Sequence, residues 1–341
     1  MILYWTASAG AAVWIGVRLF AERVGPLDRV VISGVLVVVP LALAVIPPGS
    51  SPRWPPISWA AALLSLPAGL ACTASFLLGA GPLAGALAAP WVGLTLLVGT
   101  LGVTRLRLTS GPGPRVSVQH PDWTSGPGPN VHLAEVCFAA GLLYLPVSAF
   151  WLVASRLGVA PFGFDPLIVL LTAAHFCFAG LAAPVVAGMA LRRLHIASMP
   201  MRVAVWLVTA SVTLGQPVVA AGIAASPALG FAGAVVLSAG LLVLGALTLA
   251  RVLRETTSKL AKTLLVVSSL SLLLSMPLAV AWAWGELTRA RPLDMLWMIR
   301  IHGMANAHGF ALCGLLAWAI EGGVRARSAS PPRPRSDPPT P

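Results

Sequence analysis

Ten apolar stretches, each about as long as a bilayer is thick, decide what this sequence can fold into. A helix rises 1.5 Å per residue, so about 20 apolar residues cross the roughly 30 Å hydrocarbon core. With that ruler the candidate spans lie near residues 1–20, 30–47, 57–79, 82–104, 132–155, 164–191, 200–223, 228–250, 262–284 and 296–320. They are continuously apolar and lack the 3.6-residue alternation of a helix on a soluble core. Of the 341 residues, 57% are hydrophobic and 9% charged, too few charges for a water-facing surface, where about 25% is usual. The expected fold is all-α: a polytopic membrane protein built as a bundle of about ten transmembrane helices, with the lipid bilayer as partner. The pair at 57–104 is the least sharply divided, by Gly79 to Pro82 alone.

The formal charge of +12 does not point to nucleic acid. The basic residues stand in short links between apolar runs, where membrane insertion places them, and form no stripe with interleaved aromatics. Counted by side of a ten-span topology, fifteen of the 22 Lys and Arg residues fall on one side and seven on the other. The richer side is the cytoplasmic one, so both termini are expected in the cytoplasm. Arg18, Arg23 and Arg29 oppose this locally, since they follow the first span. That first run has no basic region ahead of it and reads as a span, not a cleavable signal.

All four cysteines (Cys72, Cys137, Cys177 and Cys313) fall inside apolar runs, where free thiols are expected to behave as small apolar residues. The link 105–130 carries TSGPGP twice, at Thr109–Pro114 and Thr124–Pro129, and Gly and Pro at that density oppose helix and sheet. It divides an N-terminal group of about four spans (1–104) from a six-span membrane domain (131–321). The Pro-rich tail, 322–341, is expected to be disordered.

Polar side chains within the spans are not scattered in depth. His175 in the sixth span, Gln216 in the seventh, and His302, Asn306 and His308 in the tenth fall within roughly one to two helical turns of the same level. Glu286 closes the same end of the ninth span. His302 and Asn306, at i and i+4, share a helix face with Gly309 and Cys313. His308 lies about 240° round a regular helix from His302, and His175 and Cys177 point apart, so a metal site would have to assemble from different helices. Gly215-Gln216-Pro217 and Ser275-Met276-Pro277 are expected to interrupt their spans and free backbone carbonyls, a usual construction for transport sites. The other span prolines (Pro40, Pro67, Pro90, Pro146 and Pro184) read as kinks. Each buried polar group has a plainer reading as an interhelical hydrogen bond that sets packing. His120, His132 and His195 read as surface residues, and Glu135 and Glu286 as solvated or salt-bridged. No hydrolase elbow, P-loop, HExxH or dinucleotide fingerprint occurs in a usable context, which speaks against an enzyme, and no cofactor is called for.

The segments GLLYLPVSAFWLVASRLG (Gly141–Gly158), FGFDPLIVLLTAAHFCFAGLAAPVVAG (Phe162–Gly188) and IHGMANAHGFALCGLLAW (Ile301–Trp318) resemble the YndJ-like bacterial membrane proteins over residues 131–321. That family usually carries H-F-H-Y-A-G-F in the sixth span and H-G-x-x-N-A-x-G-F in the tenth. His175 matches the first His, and Cys177 stands in place of the second. His302, Gly303, Asn306, Ala307, Gly309 and Phe310 match the tenth-span pattern. The resemblance implies a multi-pass bacterial membrane protein, sometimes labelled a transporter, and names no substrate. Together these readings favour a permease for a small solute or ion, with His175, Gln216, His302, Asn306 and His308 at its binding site. A membrane metal or haem protein using His175 and His302, and a non-catalytic assembly or sensory protein, are the alternatives.

Overall fold

The computed structural model describes residues 2–48, 54–110, 130–196, 198–290 and 293–329, and among them the regular elements are all helical. Ten of these helices are long and apolar enough to cross a membrane: α1 (Ile2–Phe20), α2 (Pro26–Val45), α3 (Pro55–Ser75), α4 (Pro82–Arg107), α5 (Val131–Leu157), α6 (Pro166–Leu191), α7 (Met199–Ala225), α8 (Pro227–Glu255), α9 (Lys259–Thr288) and α10 (Met295–Ser328). Each expected span corresponds to one of them, and α3 and α4 are separate helices parted by residues 76–81. The central part of the Gly/Pro-rich link, 111–129, and the end of the tail, 330–341, lie outside the described residues.

Local chemistry sets the helix starts. Pro26, Pro82, Pro166 and Pro227 stand at first helical positions, where a missing N–H costs nothing and φ is already helical. Asp165 and Asp294 accept from the backbone N–H of Leu167 and Trp297, each at 2.8 Å, to cap α6 and α10.

Sequence neighbours pair as antiparallel hairpins: α3 with α4, α4 with α5, α7 with α8, α8 with α9 and α9 with α10. The helices before and after the Gly/Pro-rich link form one packed body, because α4 lies along α5 and α2 touches α6 and α10. Helix α2 is the innermost; from Val30 to Val45 all but Ala44 are buried. Large apolar side chains such as Trp5, Phe20, Trp59, Leu96 and Trp206 face outward, as a lipid-facing surface requires. Small residues allow the tightest crossing: a Cβ on Gly222 of α7 would collide with the backbone of Gly230 in α8.

Charged groups tie the helix ends. At the end where α2 and α6 finish and α5 begins, Arg105 pairs with Glu135, which also receives Arg192 at 3.3 Å, and Arg105 donates to the Pro47 carbonyl. Glu135 is therefore salt-bridged, as its span-end position suggests. At the same end Glu321, 1% exposed, accepts from the backbone N–H of Thr257 and Ser258 ahead of α9 and from Arg325 at 2.9 Å. Arg193, in the link after α6, lies over the Trp318 ring at 5.8 Å, and burial there pulls its pKa down to about 10. At the opposite end Arg156 donates to the carbonyls of Ser75 and Leu78 at 3.0 and 2.9 Å, capping the C-terminus of α3 while resting on the Phe76 ring.

The helix irregularities do not lie at the two segments expected to interrupt their spans. Helices α7 and α9 run without a break through Pro217 and Pro277. The widened π-helical turns lie instead in α2 (Gly34–Val38), α6 (Phe176–Ala182), α8 (Thr248–Val252) and α10 (Ile299–Gly303 and Ala305–Leu312). In α2 and α6 the wide turn ends two residues before Pro40 and Pro184. Shifting the hydrogen-bond ladder to i→i+5 there relieves the clash a proline makes with the carbonyl four residues back. In α10 no proline is involved. The Asn306 side chain donates to the His302 carbonyl at 2.8 Å, taking the acceptor that the Asn306 backbone N–H would use in an α-helix.

Candidate functional site

The wide turns of α2, α6 and α10 touch one another. Gly34 makes this possible, since a side chain there would meet the Cys177 sulfur and the Phe178 ring. Beside this junction opens a cavity of about 1330 Å³, walled by α5, α6, α7, α8, α9 and α10 with the start of α2. It reaches from the end of the bundle where α5, α7 and α9 finish down to His175, His302 and Asn306. Counted from their helix ends, those three side chains lie roughly 10 to 17 Å deep, close to the middle of a roughly 30 Å core.

His302 is held by α9. Its Nδ1 lies 2.9 Å from the Ser275 carbonyl oxygen. A carbonyl only accepts, so Nδ1 carries the hydrogen, and the neutral ring then presents Nε2 as an acceptor. The Ser275 hydroxyl donates to Asn306 Oδ1 at 3.1 Å. The Ser275 position thus orients both tenth-span residues, which is the use the structure makes of the Ser275-Met276-Pro277 segment.

His175 lines the cavity from α6, at the start of its wide turn. Gln216 of α7 is the amide beside it, and His302 is also within electrostatic range. Gln216 itself is fully buried and does not face the cavity. His175 Nε2 and both amide atoms of Gln216 are buried without a hydrogen bond of acceptable geometry. Such atoms are uncommon in a folded interior, and three of them meet here behind one cavity wall. The carbonyls of Gly215-Gln216-Pro217 contribute no opening in α7, which remains a continuous helix.

His308 belongs elsewhere. Its Nε2 lies 3.2 Å from Ser33 Oγ, and its ring stands 5.5 Å from that of Trp14. The Ser33 hydroxyl already donates to the Val30 carbonyl at 2.7 Å, so Nε2–H of His308 is the donor. This residue joins α10 to α1 and α2, facing away from the cavity. Ser33 and Trp14 carry no motif that marks them; only the fold brings them to His308.

Among the described residues no three His, Cys, Asp or Glu side chains gather within reach of one metal ion. Two imidazoles fall short of the three or four protein donors that a zinc site uses. Polar groups also stand at the mouth, where Glu286, Asp294 and Ser226 line the rim. The rest of the wall is mostly apolar and rich in aromatic rings, with Trp151, Phe231 and Trp282 among them.

The chain is similar to the protein named "Uncharacterized membrane protein YndJ" of Bacillus subtilis (strain 168), with 28% identity over 189 residues. That alignment takes in 55% of this chain and 33% of the relative, so the matched stretch spans about a third of the relative's length. No solved structure matches the chain. The family of YndJ-like proteins matches residues 29–310, from within α2 to the cavity-lining Phe310, so it takes in both sides of the Gly/Pro-rich link. With that much of its length matched, the chain belongs to the YndJ-like family.

Proposed function

We propose that this protein is a permease-like membrane protein, not an enzyme, which carries a small molecule through the cavity beside His175 and His302. One observation carries the reading: a cavity of about 1330 Å³ reaches from one end of the bundle to two histidines and an asparagine near its middle. Transport sites lie at this depth, and they are built where helices depart from regular geometry. Here both walls that bear the histidines do so, in the wide turns of α6 and α10. His175, His302 and Asn306 are the substrate contacts, with Gln216 supporting His175 from behind. Neutral imidazole at that level can take up and release a proton, which would link movement to pH.

The basic count supports a topology with both termini in the cytoplasm, and hence a cavity that opens to the outer face of a bacterial inner membrane. Reporter fusions at residues 112 and 330 would both read cytoplasmic. Uptake by proteoliposomes tests the function itself. Wild-type protein should carry one member of a panel of labelled small solutes, and His302→Ala should abolish that movement. A wild-type protein that moves none of them, or a variant that moves the solute equally well, overturns the reading.

A further inference from the structure

The chemistry of the cavity wall restricts what it can hold more than its volume does. Among the described residues that line it, no Lys or Arg occurs, and the only carboxylates, Glu286 and Asp294, stand at the mouth. An anion at the inner end would therefore lose its water without gaining a countercharge. A small hydrated ion or a sugar would meet walls of Val147, Ile168, Ile223 and Phe231, which replace none of its hydrogen bonds. The inner end differs. His302 presents the acceptor Nε2, Asn306 and Ser238 add further polar groups, and the His175 ring lines the wall with its Nε2 buried on the Gln216 side. Behind the polar rim, the capacity for hydrogen bonding is thus collected at the inner end of a long, mostly apolar chamber. Its volume exceeds the roughly 300–1,000 Å³ of a drug-sized pocket.

We infer that the cavity takes an uncharged amphiphile: a long apolar body with one hydrogen-bonding head, a hydroxyl or carbonyl, seated against His302 and His175. The inference deepens the permease reading and rests on its choice of cavity. The access route agrees with it. The first half of α6 packs on α5 and α2 and has no more than glancing contact with α7. Entry between these helices would let a molecule already dissolved in the bilayer reach the chamber without crossing water. Burial of an apolar body then adds nothing beyond what lipid offers, so discrimination falls to the head.

Photolabelling in lipid nanodiscs tests this. The probe is a sixteen-carbon alcohol with a diazirine beside the hydroxyl, and its control is the matching carboxylic acid, ionised at pH 8. Peptide mapping should place the alcohol's label on residues 168–178 and 299–307, and excess unlabelled alcohol should remove it. The acid should label these residues roughly five- to tenfold less, and His302→Leu should lower the alcohol's labelling by a similar factor, the loss of one hydrogen bond. Ala279→Trp, which fills the chamber from α9, should abolish labelling while the purified protein keeps its thermal unfolding transition. Label confined to lipid-facing positions such as Trp59 and Trp206, or equal labelling by alcohol and acid, overturns the inference. Undiminished labelling in Ala279→Trp does so as well. The experiment reads occupancy alone. Labelling without any passage in proteoliposomes would remove the permease reading and leave this one. Passage of a polar solute without labelling would do the reverse.

Discussion

The Asn306 amide nitrogen stands 3.3 and 3.4 Å from the two ring nitrogens of His302, near-equal distances that place it over the face of the imidazole and out of its plane. A donor in the ring plane would be close to one nitrogen and far from the other. The in-plane lone pair of Nε2 is therefore left to whatever occupies the cavity, while the amide keeps the ring from turning. Its own hydrogen bonds go to the His302 carbonyl and, through Oδ1, to Ser275.

This arrangement makes Asn306 the keystone of the group and Ser275 a lesser member. Asn306→Leu strands the Ser275 hydroxyl and frees the His302 carbonyl to reclaim an α-helical bond. A cost of about 1–3 kcal/mol is expected, as for a buried polar group left without its partner. Ser275→Ala leaves its carbonyl on His302 and should cost near the membrane average of about 0.6 kcal/mol. Thermal unfolding in one detergent compares them, and equal losses would show that the two residues do not form the ordered network described.

Glu321 sits at the opposite end of the bundle and gives a second test. Its buried carboxylate accepts two backbone N–H groups and the Thr257 hydroxyl, and receives Arg325. Glu321→Ala removes all four and strands the backbone N–H groups of Thr257 and Ser258, so a loss of about 1–3 kcal/mol is expected. Glu321→Gln keeps an oxygen for the backbone donors and should lose clearly less. Unfolding titrations in sodium dodecyl sulfate would rank them; a Gln variant as weak as Ala would mean that charge, not helix capping, is what matters.

The α7–α8 crossing is limited by backbone, not by side chains. Gly222→Ala must push α7 away from Gly230, because the added carbon meets main-chain atoms that cannot rotate aside. Overpacking of this kind costs about 1–3 kcal/mol. Gly79→Ala, at a position with open space around it, should change the unfolding midpoint little, and a similar loss in both variants would contradict the assigned crossing.

Span number and position are legible in the sequence because backbone satisfaction in lipid is a problem each segment must solve locally. The common depth of His175, Gln216, His302 and Asn306 follows from span order alone. Azimuth is what the sequence does not carry. A regular helix sets His308 about 240° from His302, but wide turns change the phase of α10, and the side-chain contact from Asn306 to His302 that accompanies them has no composition signature. Proline is ambiguous for the same reason. Pro217 and Pro277 are absorbed in straight helices, whereas Pro40 and Pro184 sit just after the wide turns that meet at the centre. Glu321 carries no sequence signal, because its partners at Thr257 and Ser258 are backbone groups of a distant link.

Gln216 offers the sharpest separation of packing from function. Its amide is fully buried beside His175, and neither of its polar atoms makes a hydrogen bond of good geometry. A group in that state has given up water for little in return, which costs about 1–3 kcal/mol by mutational measures. Leucine is close in volume and has nothing to desolvate. Gln216→Leu should therefore leave the unfolding temperature unchanged or raise it, by at most the equivalent of that cost. If the amide persists because it supports His175 when the cavity is occupied, the same variant should lose binding of the alcohol probe. A stabilised protein that no longer binds is the signature of a residue kept for function at the expense of the fold. A destabilised variant that binds normally would assign Gln216 to packing and leave His175 without support from α7.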